Sequence, residues 1–299
     1  MNKAFLIKTW IHVKKIFLWI FILHVVWFLY FIWQKFSVTG FTVTNLKTKV
    51  LLVCCAIIIT GIVYYKWLRR IENIKKTAIV LREIFFTAYI SSMLYLFLGI
   101  VFNPPATLTQ LSSLVQGNGL HRDYVSYKNM GANIKLAVIA SEDQLFPDHD
   151  GFDLKAIKLA MKYNKRHPNK VRGASTISQQ VAKNIFLFQG GGFFRKGLEV
   201  FFTFTIETVW TKRTILERYL NVAEMGRGIF GIQAAAKEYF NKAAKDLTRS
   251  EAAQIAACLP NPKKFTVKPL SGYVASRYDD IMRQMNNLEE DPDVQELIK

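Results

Sequence analysis

Three stretches of the chain carry no Lys, Arg, Asp or Glu: Phe17–Trp33, Val50–Tyr65 and Ile84–Phe102. A helix needs about 20 apolar residues to cross a bilayer core, within a range of about 17–25. The first and third stretches meet that length. The second meets it when Trp67 and Leu68 extend it and Lys66 snorkels its ammonium to the interface. The sequence thus predicts three transmembrane helices, at 17–33, 50–68 and 84–102. Buried core helices are the bland alternative. They are disfavoured because the runs lack a polar face and are rich in Phe and Trp. The first run is a poor signal peptide, being long and aromatic with no small-x-small cleavage site behind it.

After Asn103-Pro104-Pro105, where proline cannot continue the helix, the period changes. Thr107 to Asn133 reads as a short juxtamembrane region containing Gly117, Gly119 and Gly131. Beyond it the apolar positions recur at helical spacing. Asp153–Lys165 is amphipathic and stops before Pro168. Thr176 with Gln179 forms a capping box that opens a helix to about Phe186. Gly190-Gly191-Gly192 is a break, followed by helices over about Arg195–Trp210 and Thr214–Glu224. Gly226, Gly228 and Gly231 make the next break, before a helix over Ile232–Phe240. Thr248 with Glu251 forms a second capping box for a helix ending before Pro260, and Tyr273–Leu288 closes the domain. There is no alternating strand run of any length and no internal repeat. Two regions are expected: a membrane region over 1–103 and a mainly α domain over 104–299.

Charge adds an orientation. Lys3, Lys8, Lys14 and Lys15 precede the first run, and Lys66, Arg69, Arg70, Lys75, Lys76 and Arg82 separate the second from the third. Only Lys35, Lys47 and Lys49 lie between the first and second. Lys and Arg accumulate on the cytoplasmic side, so the N-terminus is expected inside and everything after Phe102 outside. The formal charge is +18, of which +11 falls in residues 1–103. Topology and anionic lipid headgroups account for that excess. A nucleic-acid partner is not expected, since no basic stripe interleaved with aromatics appears in the outer domain. Cys54, Cys55 and Cys258 offer neither a disulfide framework nor metal-ligand spacing.

Four blocks carry the candidate chemistry. The first is Glu142-Asp143-Gln144-Leu145-Phe146-Pro147-Asp148-His149-Asp150-Gly151. The second runs Arg172-Gly173-Ala174-Ser175-Thr176-Ile177-Ser178-Gln179-Gln180 and continues to Lys183-Asn184. The third is Arg195-Lys196-Gly197-Leu198-Glu199, and the fourth is Lys212 to Asn221. In this order and spacing they resemble the peptidoglycan glycosyltransferases, and among them the monofunctional biosynthetic transglycosylases. The resemblance runs from about Ile84 to about Arg283.

It implies a lysozyme-like, all-α fold and an activity that polymerises lipid II into β-1,4-linked glycan. Glu142 would be the general base that deprotonates the sugar 4-hydroxyl of the lipid-linked acceptor. A carboxylate at the end of an apolar helix suits that role, because partial burial raises its pKa. An isolated Glu-Asp pair would otherwise read as a solvated helix end. Glu199 would be the second catalytic carboxylate, positioning or protonating the departing phosphate. Its alternative is a helical ion pair with Arg195, and the two are compatible. Lys183, Arg195 and Lys196 stand where a lipid pyrophosphate would be neutralised. Asp143, Phe146, Gly173, Ser175, Thr176, Gln179, Gln180 and Asn184 would contact or shape the substrate site.

His149, beside Asp148 and Asp150, reads either as a metal ligand or as a hydrogen-bonding residue. The lack of a second His at ligand spacing favours the latter. No cofactor is obligatory, although the resemblance leaves room for a divalent cation, Mg or Mn, at Glu199. Lys212, Arg213, Glu217, Tyr219 and Asn221 are expected to be mainly scaffold, with Glu217 paired to Arg213. A weaker fifth block begins at Glu224, with Met225 where the family usually has Trp.

The implied partners are lipid II, the growing lipid-linked strand, membrane lipids and other cell-wall synthesis or division proteins. The implied location is the bacterial inner membrane, with the catalytic domain periplasmic. Ile185–Phe194 and Phe201–Phe204 face either lipid or core. A transpeptidase module is not expected, since Ser-x-x-Lys and Lys-Thr-Gly are both absent. The rivals are a hydrolase or lytic transglycosylase of finished glycan, which needs no cation cluster, and a non-catalytic membrane scaffold.

Overall fold

The computed structural model describes residues 3–38, 59–188, 190 and 192–299. Two compact units make up the chain, Met1–Tyr95 and Leu96–Lys299.

The first unit contains α1 (Lys3–Val38) and most of α2 (Glu72–Val101). Val13–Lys35 and Glu72–Val101 are long and apolar enough to cross a membrane, by length and composition. Trp19, Trp27 and Trp33 are exposed along α1, as expected of a helix with no polar face. Of the expected second span, 50–68, residues 50–58 lie outside the described residues, and 59–66 are helical. Polar and apolar pairs both occur in this unit. Lys14 pairs with Glu83, His24 Nδ1 lies 3.2 Å from the Tyr89 hydroxyl, and Phe21 meets the rings of Phe85 and Tyr89 edge-on. The apolar run that begins at Ile84 is the second part of a longer helix whose first turns carry Glu72, Lys75, Lys76 and Arg82.

The second unit begins with the last turn of α2. Trp210 donates its indole N–H to the Leu96 carbonyl at 2.9 Å. Buried Arg218 reaches the Gly99 carbonyl at 2.9 Å and the Ile100 carbonyl at 3.3 Å. These carbonyls are at the open, electronegative end of a helix, where a guanidinium both bonds and neutralises.

The helices that follow are α3 (Leu108–Val115), α4 (Ala132–Glu142), α5 (Leu154–Arg166), α6 (Ile177–Phe186), α7 (Phe193–Val209), α8 (Lys212–Val222), α9 (Ile232–Phe240), α10 (Arg249–Cys258), α11 (Gly272–Leu288) and α12 (Pro292–Ile298). Reciprocal capping boxes open α3 at Thr107, α6 at Thr176 and α10 at Thr248.

α4 is the core of the domain. Ile134, Leu136, Val138 and Ile139 are all buried, and α10 and α11 pack against it. Burying each such side chain stabilises the fold by roughly 1.5–3 kcal/mol. Lys135 is buried too. Its ammonium donates to the Ile298 carbonyl at 3.1 Å and sits 3.7 Å from the centre of the Tyr127 ring. It thereby caps the carbonyl end of α12, and its burial pushes its pKa down to about 8.

Three expectations are corrected here. Thr107–Asn133 contains α3, which at 8 residues is too short to show a period. The helix expected over Thr214–Glu224 stops at Val222, and Glu224 enters a strand. Strands do exist: β1 (His121–Arg122), β2 (Glu224–Gly226) and β3 (Ile229–Phe230) form a sheet in the order β1-β3-β2. β1 runs parallel to β3, and β2 antiparallel to it. Gly228 turns the β2–β3 hairpin with φ +70°, and a Cβ there would stand 2.1 Å from the Asn118 carbonyl oxygen. Only glycine fits that approach.

Candidate active site

Glu142 is the last residue of α4, half-buried at the edge of the core. Its Oε2 accepts a hydrogen bond from the Gln180 side-chain amide at 2.8 Å. Gln180 in turn accepts one from the Tyr219 hydroxyl at 3.3 Å, which fixes its orientation. Burial pushes the Glu142 carboxyl above the usual carboxylate range. The Gln180 hydrogen bond and the charges of Arg277 and Lys183 oppose that rise.

Asp143 faces away from this chain of bonds. Its Oδ2 accepts from the Ile177 backbone N–H at 2.9 Å, in the first turn of α6. His149 Nε2 lies 2.9 Å from Oδ1, and His149 Nδ1 accepts from the Gly151 N–H at 3.2 Å. The proton therefore sits on Nε2, and both ring nitrogens are engaged. Thr176 donates to the Gly151 carbonyl at 2.7 Å, and Gln179 closes the Thr176 capping box at 3.1 Å.

The loop after Glu142 is thus tied to the N-terminus of α6, where an acidic side chain is favourable. From the other side Lys212 donates to the His149 carbonyl and to Glu207 at 2.8 Å, and it stands 4.6 Å from the centre of the buried Phe146 ring. Glu207 also receives the Ser178 hydroxyl. Gly151 adopts φ +85° beside this knot, where a Cβ would press on Thr203 and Glu207.

α6 and α7 carry the cations. Glu199 is buried, with Oε2 2.8 Å from Arg195 and Oε1 paired with Lys196. Arg195 Nε is buried without a hydrogen-bond partner in the protein. Burial pushes the Lys183 ammonium down. Glu199 and Glu142 hold it up, while Arg195 and Lys196 depress it further. Lys183 therefore lies within the electrostatic reach of both carboxylates.

Two cavities flank α6. One, of about 930 Å³, is lined by Glu142, Arg172, Ser175, Gln180, Lys183 and Arg277, with Asp143, Gly173 and Thr176 also on its wall. The other, of about 320 Å³, is lined by Gln116, Gln180, Lys183, Asn184, Glu224 and Lys263. Gln180 and Lys183 belong to both walls.

Of the residues expected in the site, Phe146, His149 and Gln179 are placed behind the walls, where they hold loops. Arg195, Lys196 and Glu199 line neither cavity and meet the site through Lys183. The expected Arg213–Glu217 pair does not form. Glu217 pairs with Arg218 at 3.3 Å, and Arg213 lies 4.4 Å from the centre of the Tyr127 ring. Sequence reasoning missed Arg277, Tyr273, Lys263 and Glu207. None of them belongs to a block, and each meets its neighbours only through the fold. Met225 is fully buried, filling the position usually held by Trp.

The arrangement also bears on a metal. Among the described residues, no three His, Cys, Asp or Glu side chains converge as a metal centre. Both oxygens of Glu199 already carry cationic partners. The donor set at Glu199 does not fit a divalent ion.

A shielded carboxylate in a polar cleft, with fixed positive charge close behind, suits displacement at an anomeric carbon. Comparison with known proteins gives the family. The family model Transglycosylase matches residues 108–286, and the chain belongs to that family. Among its relatives, the biosynthetic peptidoglycan transglycosylase of Escherichia coli (strain K12 / DH10B) is 53% identical over 190 residues, covering 62% of this chain and 78% of the relative. The protein of that name from Shigella boydii serotype 4 (strain Sb227) matches with the same identity and coverage.

Proposed function

We propose that this chain is a membrane-anchored peptidoglycan glycosyltransferase of cell-wall synthesis, polymerising lipid II with inversion. Glu142 takes the proton of the acceptor 4-hydroxyl as its oxygen bonds to the donor anomeric carbon. The bond from that carbon to the pyrophosphate oxygen breaks, and the lipid pyrophosphate leaves with the electron pair. The product is a β-1,4 linkage.

Lys183, Arg195 and Lys196 neutralise the pyrophosphate. Glu199 holds Arg195 and Lys196 in place, so its role is to orient cations rather than to bind a metal. Ser175, Gln180 and Asn184 offer neutral polar groups to sugar hydroxyls and acetamides. The observation that carries the reading is Glu142 itself. Burial raises its pKa, one oxygen is fixed by Gln180, and it stands within reach of Lys183.

Incubating the purified protein with labelled lipid II tests this. Polymer should form and finished wall glycan should stay intact. Cleavage of finished glycan without polymer would favour the hydrolase on the same fold.

The lipid substrate agrees with a domain held at a bilayer. Phe188 and Phe194 are exposed, whereas Ile185, Leu187 and Phe204 are core. The first two are proposed to face lipid tails. The topology proposed is an inside N-terminus, three spans and a periplasmic domain at the inner membrane. Other cell-wall synthesis or division proteins are proposed as partners. A periplasm-active reporter fused after Thr107 should give signal. Signal only from a cytoplasmic reporter at that point would reverse the orientation.

A further inference from the structure

α11 contributes a cation to the wall of the larger cavity, Arg277. Its Nη2 donates to the Ser141 carbonyl at 3.0 Å. Its Nε is buried with no hydrogen-bond partner in the protein. Ser141 precedes Glu142 in the last turn of α4, where carbonyls lack helical donors and the helix carries its partial negative charge. A carboxylate placed there is repelled by the helix end unless a positive charge offsets it.

Arg277 supplies that charge. Among the described residues it forms no salt bridge with Glu142; it acts on the carboxylate through space, favouring the ionised form. A direct ion pair would occupy the carboxylate, as happens at Glu199. The other groups that act on Glu142 are Gln180 and Lys183 from α6 and Asp143 from the following loop, and the titratable groups that feel its charge are Tyr219 from α8 and Cys258 from α10. Asp143 works against ionisation. Tyr219 and Cys258 stay neutral, because burial pushes both upward. Lys183 is shared with Glu199 and faces phosphate once donor binds. Arg172, on the same cavity wall, lies 3.8 Å from the centre of the Tyr163 ring, so among the described residues Arg277 is the remaining cation that acts on Glu142.

We propose that Arg277 is the positioning residue of the general base: it holds the last turn of α4 from α11, offsets the negative helix end beside the Glu142 carboxylate, and leaves one oxygen of that carboxylate for the acceptor hydroxyl. This rests on Glu142 being the base.

The test is the pH profile of kcat/KM on labelled lipid II for the native protein, Arg277→Gln, Arg277→Lys and Glu142→Gln, with a thermal melt of each. Without the cation, Glu142 holds its proton to higher pH, so activity is lost on the acid side and returns as pH rises. The acid limb of Arg277→Gln should move up by about one pH unit, which is about a tenfold loss on that limb. Arg277→Lys should keep the native limb. An Arg277→Gln variant that folds, and whose limb coincides with the native one, overturns the proposal whatever its kcat. If Arg277→Gln does not fold at assay temperature, Arg277→Lys decides: a native limb supports the role, and a limb displaced by a unit sinks it. Glu142→Gln separates the two levels. If it is inactive while the limb of Arg277→Gln has not moved, Arg277 loses its role and the base assignment stands. If it turns over normally, the base assignment itself fails.

Discussion

Glu142 and Glu199 make an instructive pair. Both are shielded carboxylates, and both act on the Lys183 charge. Glu142 meets one neutral donor, Gln180, and is pushed toward its protonated form by burial. Glu199 meets two cations, one on each oxygen. The first keeps an oxygen for chemistry and has a pKa moved toward neutrality. The second has both oxygens engaged by cations and serves as the anchor of a positive patch. Residue type and burial alone would have made them equivalent; their partners separate them.

The largest effect should come from Glu142→Gln. The change is nearly isosteric but removes the proton acceptor, and general-base catalysis contributes about 10²–10⁴-fold in rate. Polymerisation should fall by that factor while lipid II binding persists. Near-normal turnover would place the chemistry elsewhere and dissolve the contrast.

Glu199→Gln sharpens it from the other side. Removing one partner of a buried ion pair costs about 3–5 kcal/mol, so chemical denaturation should report a loss of that order together with weaker donor binding. An unchanged stability would mean that Arg195 and Lys196 do not depend on Glu199.

Lys183→Ala and Arg195→Ala should each lower turnover roughly 10–150-fold, the equivalent of about 1.5–3 kcal/mol for a charged hydrogen bond. Arg195→Lys should recover only part, since the planar fork is gone. A moenomycin-like phosphoglycolipid should bind the native protein and lose affinity for both Ala variants. Equal inhibitor affinity across the set would detach these cations from phosphate.

The smallest effect concerns stability. The folded-state pKa of Glu142 is raised above its ordinary 4.5, so the unfolded chain ionises first as pH rises. Native stability therefore falls with pH from 4.5 upward until the folded carboxyl has also ionised. Glu142→Gln should melt slightly higher than native at neutral pH, and the gain should vanish below pH 4.5. A gain that persists in acid would mean that ionisation is not its source.

Much of this was legible in the chain before any fold was known. The apolar runs, the Thr176 and Thr248 capping boxes and the Arg195–Glu199 spacing all depend on residues within a turn or two of each other. Local sequence fixes such contacts wherever the helix forms. The four blocks likewise picked out Glu142, Lys183 and Gln180 as a set.

Other features depended on the tertiary structure. β1, β2 and β3 are two or three residues long, too short to alternate visibly, and form because the hairpin at Gly228 is pressed against Asn118. Glu217 pairs with the adjacent Arg218 rather than with Arg213 one turn back, because Tyr127 draws Arg213 over its ring. Asp143 keeps its place on the wall of the larger cavity, but the bonds of its two oxygens to the first turn of α6 and to His149 join segments that no local spacing connects. Arg277 carried no signal at all in the sequence, being 136 residues from the Ser141 carbonyl it holds. Local hydrogen bonds and periodicity are written in neighbouring residues. The pKa of Glu142 and the choice of partner for each charge are set by groups that only packing brings within a few ångströms.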